Sequence, residues 1–311
     1  MTQVSRRRFL MISAATATLA GLPGIARAAL PVTHWRGVAM GSAASISLAH
    51  PNADAIIQRA LAEIARLENI FSLYRPNSTL MQLNAHGRID APPFDLLECL
   101  GLCNAVHTAS NGLFDPTIQP LWQLYARHHA NGQAPHPDAI KTTLSQTGWN
   151  GVGYDQNGVQ FDRPGMAITL NGVAQGYVAD RVAALLQAEG LTDILVNTGE
   201  FHALGGHPDG GDWPVSIDTG SSILTDAVPL RDRALATSSP RGTVFDAQGK
   251  VGHILDPRNG AAGKSPWQSI SVSAPDAALA DALSTAMCLM TRPEITALLA
   301  AFPKARLVHL A

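Results

Sequence analysis

Apolar residues recur along the chain with two periods. From Ala53 to Phe71, Ile57, Leu61, Ile64, Leu67 and Phe71 share one side of a 3.6-residue repeat, which predicts an amphipathic helix. Residues 94–110 predict a second helix, broken at Asn111-Gly112, and a helical stretch holding Trp122 and Tyr125 follows Asp115-Pro116. Val173, Tyr177, Val178, Val182 and Leu185 repeat at helical spacing as far as Gly190, placed as a C-cap glycine. The run Ile168-Thr169-Leu170 reads as a short strand entering that helix through Asn171-Gly172. Residues 35–48 read as one strand bent at Met40-Gly41, 194–196 as a buried strand and 201–217 as a glycine-rich hairpin. Residues 234–239 and 252–257 predict two short strands joined by a hairpin turning near Gly249, and 269–273 a further strand. Pro275-Asp276 opens a helix to about Met290, and a helix at 294–301 and a strand at 306–310 close the chain. Residues 71–84 read as turn-rich and 127–137 as a polar loop. There is no internal repeat, and no linker long enough to separate two independent domains.

The 311 residues, 46% hydrophobic and 15% charged, suffice for one large domain or two small ones with a substantial core. Residues 1–28 stand apart. Arg6-Arg7 within Ser5–Leu10, a mildly apolar run and Ala26-Arg27-Ala28 make a twin-arginine signal with an A-x-A cleavage site. The expectation is export of the folded protein to the periplasm, with a mature chain of residues 29–311. That segment carries four arginines and no acid, leaving 18 basic against 24 acidic side chains and a formal charge of −6. Neither this balance nor any charge run favours nucleic acid. Three cysteines cannot all pair, and Cys99, Cys103 and Cys288 sit in apolar helical patterns as buried free thiols.

Candidate chemistry gathers in the last third. Asp281 and Thr285 are four apart on a helix, so their oxygens share a face, with Ser284 adding a third nearby. Carboxylate and hydroxyl are hard ligands of the kind Mg²⁺ accepts beside a substrate phosphate. The same pair also occurs on solvated faces, but this helix is apolar nearly all round, and a carboxylate inside it needs a partner charge. His253 is either a hydrogen-bonded core histidine or a functional one, as a general base or a phosphate contact. The turn at 170–176 offers helix N–H groups to phosphate, though the pattern also serves any strand-to-helix connection. Tyr74 and Arg75 can stack on and pair with a ligand. His128, His129 and His136 lack a carboxylate or cysteine partner at ligand spacing, as a solvated loop does. Walker A, dinucleotide-fold and nucleophile-elbow motifs are absent.

In order along the chain, MGS (40–42), FSLYRPNSTLMQLN (71–84), GLFDPTIQPL (112–121), LNGVAQGYVADRV (170–182), ILVNTGE (194–200), ALATSS (234–239), GHILDPRNG (252–260) and ISVSAPDAALADALSTAM (270–287) resemble the ApbE family of FAD:protein FMN transferases. The resemblance implies a single α+β domain with mixed or antiparallel sheets and packed helices, and an FAD and Mg²⁺ site between sub-lobes. It carries FAD contacts onto Met40, Tyr74, the backbone of Leu113-Phe114-Asp115, Thr169, Gln175 and Leu255. It carries metal ligands onto Asp281, Thr285 and the main-chain carbonyl of Gly172. Thr169 stands where the family often has aspartate, and Gln175 where it has lysine or glutamate. The NGVAQGY form looks closest to the flavinyltransferases associated with nitrous-oxide respiration.

The activity implied is Mg²⁺-dependent transfer of FMN from FAD to a threonine hydroxyl of a partner, a membrane-bound or periplasmic electron-transfer subunit, with release of AMP. His253 or Asp281 would take the hydroxyl proton. A Mg²⁺-dependent FAD pyrophosphatase and a non-catalytic periplasmic flavin-binding protein are the alternatives.

Overall fold

The computed structural model describes residues 31–217 and 227–311; the signal segment lies outside them. The chain begins with a hairpin of β1 (Thr33–Ala39) and β2 (Ser42–Leu48) rather than one bent strand. Met40 (φ 51°) and Gly41 (φ 77°) both adopt the left-handed conformation that a tight two-residue hairpin turn requires. Methionine bears a steric cost there, and Glu68 holds it, its Oε1 accepting the Met40 N–H at 2.7 Å. Glu68 belongs to α1 (Ala53–Phe71), whose buried stripe includes Ile57, Ile64, Leu67 and Phe71.

The 71–84 segment contains α2 (Thr79–His86), started by the Ser78 side chain on the Met81 N–H. Then come β3 (Arg88–Asp90), α3 (Phe94–Ala109), a 3-10 turn at Pro116–Ile118, and α4 (Gln119–Ala130). Arg127 to Ala130 thus finish a helix, and His136 caps α5 (Pro137–Leu144) by accepting the Asp138 N–H at 3.3 Å. β4 (Val152–Tyr154) and β5 (Gly158–Phe161) complete a small antiparallel sheet, order β3-β5-β4.

Ile168 to Leu170 belongs to no strand. The Asn84 side chain replaces the ladder: its Oδ1 accepts the Ile168 N–H and its Nδ2 donates to the Ile168 carbonyl, both at 2.8 Å. The Thr169 N–H goes to the Pro116 carbonyl at 2.8 Å. These contacts aim residues 171–173 into α6 (Ala174–Ala188).

Next follow β6 (Ile194–Asn197), β7 (Phe201–Leu204), β8 (Trp213–Val215), β9 (Val228–Leu230), β10 (Arg233–Ser238) and β11 (Ile270–Ala274). The chain ends with α7 (Ala277–Met287), α8 (Arg292–Ala301) and β12 (Arg306–Leu310). The main sheet is antiparallel throughout, in the order β1-β2-β6-β7-β10-β11-β12. Residues 201–217 do not form their own hairpin: β7 joins this sheet while β8 pairs with β9. Residues 252–257 make only isolated bridges, Val244 to Gly252 and Leu255 to Ala262. α1, α3, α6 and α7 pack with one sheet face in the main core. The β8–β9 ribbon covers Leu195, Phe201, Ala203 and Leu235 on a second, smaller one. Cys99, Cys103 and Cys288 are free and buried.

Candidate functional site

A cleft of about 860 Å³ is lined by all the residues that the family resemblance assigns to FAD and metal, and by His253. The β1–β2 turn brings Met40 to it, and Tyr74 stands at its lip, 59% exposed. Arg75 does not join them, since it pairs with Glu68 and donates to Asn69 Oδ1 at 2.7 Å.

Leu113, Phe114 and Asp115 form the next wall. Asn111 and Gly112 turn the chain with positive φ, and the Ser110 hydroxyl accepts the Phe114 N–H at 3.0 Å. The Asp115 carboxylate is occupied within the fold. Its Oδ1 accepts from the Thr117 N–H (2.8 Å) and hydroxyl (2.6 Å), and its Oδ2 from the Trp149 N–H (3.3 Å). The Phe114 carbonyl lies 2.9 Å from His107 Nδ1 and the Leu113 N–H donates to the Ser110 carbonyl, so among the described residues the main-chain groups left to a ligand here are the Leu113 carbonyl and the Asp115 N–H.

Thr169, Gly172 and Gln175 line the side formed by the entry to α6. Thr169 Oγ1 accepts the Asn171 N–H at 3.2 Å, and Gln175 Nε2 donates to Ser42 Oγ at 2.6 Å, tying α6 to the hairpin.

Asp281 and Thr285 come from α7, which is buried nearly all round. Asp281 is 4% exposed, and among the described residues its carboxylate accepts one long hydrogen bond, 3.4 Å, from the Gly176 N–H to Oδ2. Burial pushes its pKa up to about 8. No arginine or lysine pairs with it among the described residues. Thr285 lies beside Gly172, where an added Cβ would come 3.0 Å from the Thr285 hydroxyl. Ser284 turns away from the cleft, bonding to Ser238 Oγ (2.7 Å) and the Asp281 carbonyl (3.0 Å). Ser238 replaces it on the cleft wall, 3.3 Å from Thr285 Oγ1.

This donor set fits Mg²⁺: one buried carboxylate with no cationic partner, a hydroxyl, and a glycine turn beside it, open to a cleft where phosphate and water can complete the shell. Among the described residues no three His, Cys, Asp or Glu side chains gather as ligands, so the donors are mainly neutral oxygens.

His253 and Leu255 lie on the segment between β10 and β11. The His253 ring Nδ1 is 3.0 Å from the Thr243 carbonyl, and burial lowers its pKa against the opposing pull of the Thr243 and Pro240 carbonyls. The ring is thus neutral at pH 7. A proton on Nδ1, donated to Thr243, leaves Nε2 the lone pair a base needs.

Glu200 is the residue that sequence reasoning missed. It is 6% exposed, lines the cleft and accepts the Thr237 N–H at 3.1 Å. Burial and the neighbouring Asp281 charge push its pKa well up. Its signal was an acid closing the apolar stretch ILVNTGE, but only the folded chain brings it toward α7.

Comparison with known proteins gives the family. The ApbE family model matches residues 40–308. A protein of Chlamydia pneumoniae named FAD:protein FMN transferase is 29% identical over 231 residues, covering 71% of this chain and 72% of that protein. The apbe protein of Thermotoga maritima superposes with a TM-score of 0.79 at 26% identity, over 90% of this chain and 94% of that one. The flavinyl transferase ApbE of Pseudomonas stutzeri, in its apo form, gives 0.76 at 25% identity, over 86% and 87%. The cleft, the α+β architecture and these matches coincide over nearly all the described residues, and the chain belongs to the ApbE family.

Proposed function

We propose that this protein is a Mg²⁺-dependent FAD:protein FMN transferase that attaches FMN to a threonine of a partner protein and releases AMP. The observation that carries the reading is Asp281, a buried carboxylate without a cationic partner among the described residues, facing the same cleft as all the flavin-assigned residues. The family membership and the names of the relatives support it.

In this reading FAD is the substrate. Tyr74 offers a ring face at the lip, and the Leu113 carbonyl and the Asp115 N–H offer main-chain contacts. Gln175, tied to Ser42, keeps the β1–β2 turn and Met40 against the entry of α6. Asp281, Thr285 and the Gly172 carbonyl would hold Mg²⁺, which supplies charge neutralisation at the pyrophosphate and at the phosphorus under attack. The partner's threonine oxygen bonds to the FMN-side phosphorus. The bond from that phosphorus to the bridging oxygen breaks, and AMP leaves with that oxygen. His253 Nε2 takes the hydroxyl proton. The remaining parts of the proposal are export to the periplasm by the twin-arginine route, an electron-transfer subunit as acceptor, and kinship with the nitrous-oxide-respiration subgroup.

The test incubates purified protein with FAD, Mg²⁺ and threonine-bearing candidate acceptors. The expected result is AMP formed only when an acceptor becomes fluorescent in a denaturing gel. FMN and AMP formed without any labelled acceptor would instead establish a pyrophosphatase.

A further inference from the structure

Two hydrogen-bonded ties join α6 to α7: the Gly176 N–H on Asp281, and Asp180 on the start of α7. Asp180, on α6, accepts the N–H groups of Ala277 (2.7 Å, Oδ1) and Ala278 (2.9 Å, Oδ2), the first two residues of α7. Leading N–H groups of a helix have no partner within it, and Asp276 at the N-cap position makes no side-chain cap. The cap is supplied from another helix. His202, on β7, approaches the same carboxylate, with its Nδ1 2.6 Å from Oδ1. Both side chains are shielded, at 17% and 12% exposure. One turn earlier on α6, Gly176 presses onto α7 so closely that an added Cβ would lie 2.3 Å from the Ala277 carbonyl oxygen.

We infer that Asp180, held in place by His202, is a positioning residue that sets the tilt and register of α7 and thereby brings Asp281 and Thr285 into ligating geometry beside Gly172. The inference rests on the Mg²⁺-dependent reading above. The lever is long: at 1.5 Å per residue, Thr285 sits about 12 Å along the axis from Ala277, so a tilt of about 5° moves it by roughly 1 Å. Mg²⁺ demands near-ideal octahedral geometry and tolerates such a shift poorly.

The experiment compares wild type with Asp180→Asn, which keeps the shape but replaces one accepting oxygen by an amide donor. Mg²⁺ is titrated into FAD-loaded protein without acceptor, and amide hydrogen exchange is followed at Ala277 and Ala278. The expected result is a Mg²⁺ affinity weakened by about 10–100-fold, faster exchange at both amides, and FAD affinity and unfolding temperature near wild type. Excess Mg²⁺ should then restore most of the rate. Unchanged Mg²⁺ affinity in a folded Asp180→Asn protein would overturn the inference. So would FAD affinity falling in step with metal affinity, which marks general loosening. If Asp180→Asn does not fold, His202→Ala replaces it, leaving the carboxylate but removing its brace. A smaller loss of Mg²⁺ affinity in the same direction is expected there, and no loss would count against the inference. Wild-type protein that binds no Mg²⁺ would defeat the functional reading itself; the Asp180 tie would still be read from exchange at Ala277 and Ala278.

Discussion

At the scale of single residues, the site turns on one carboxylate whose burial has been left uncompensated. Asp281→Ala should abolish Mg²⁺-dependent turnover while part of the FAD binding survives, because most of the flavin-assigned wall lies elsewhere. The loss should be on the order of several kcal/mol in the barrier, and near-normal turnover at saturating FAD would remove Asp281 from the site. Its pKa of about 8, raised from 3.8, also fixes a pH dependence. Between those values the unfolded chain has released this proton and the metal-free folded chain keeps it. This group's contribution to stability is therefore full below about 4 and is lost as pH rises toward 8. Mg²⁺ must displace that proton, so the rise in unfolding temperature on adding Mg²⁺ should grow from pH 6 to pH 8. Equal shifts at the two pH values would contradict a protonated Asp281. His253→Ala should slow transfer by roughly 10²–10⁴-fold; a smaller loss leaves Asp281 as the proton acceptor. Asp281 was legible in the sequence because an acid among Leu279, Ala280, Ala282 and Leu283 contradicts its own helix. Glu200 was not, because its burial depends on β7, β10 and α7 meeting.

At the scale of elements, regular periodicity was readable and side-chain substitutes for it were not. α1, α3 and α6, and the start of α7, carry their apolar pattern locally, and the structure keeps them within a residue or two. The Met40-Gly41 turn lacks an asparagine or aspartate signal, so two strands read as one. Ile168 to Leu170 read as a strand because its residues favour extension, yet its partners are the Asn84 side-chain amide and the Pro116 carbonyl. Asn84→Ala should therefore strand both backbone groups of Ile168 and cost about 1–3 kcal/mol. Denaturant unfolding would measure it, and a change under a few tenths of a kcal/mol would show that the entry to α6 needs no clamp. The small β3-β5-β4 sheet escaped notice because strands of three or four residues carry too little alternation.

At the scale of the whole molecule, the cleft assembles from segments spread between residues 34 and 289, which no local pattern reveals; their family order did. Export belongs at this scale too. Changing Arg6 and Arg7 together to lysine should leave precursor in the cytoplasm, as fractionation would detect, and normal processing of that variant would refute the twin-arginine reading. The central claim is that a threonine, not water, receives the flavin phosphate. Its most direct test is the intact mass of an acceptor protein after incubation with FAD, Mg²⁺ and this enzyme. The acceptor should become heavier by one FMN less water, with AMP released in equal amount and the enzyme's own mass unchanged. FMN appearing free, with every threonine-bearing acceptor left at its original mass, would contradict it.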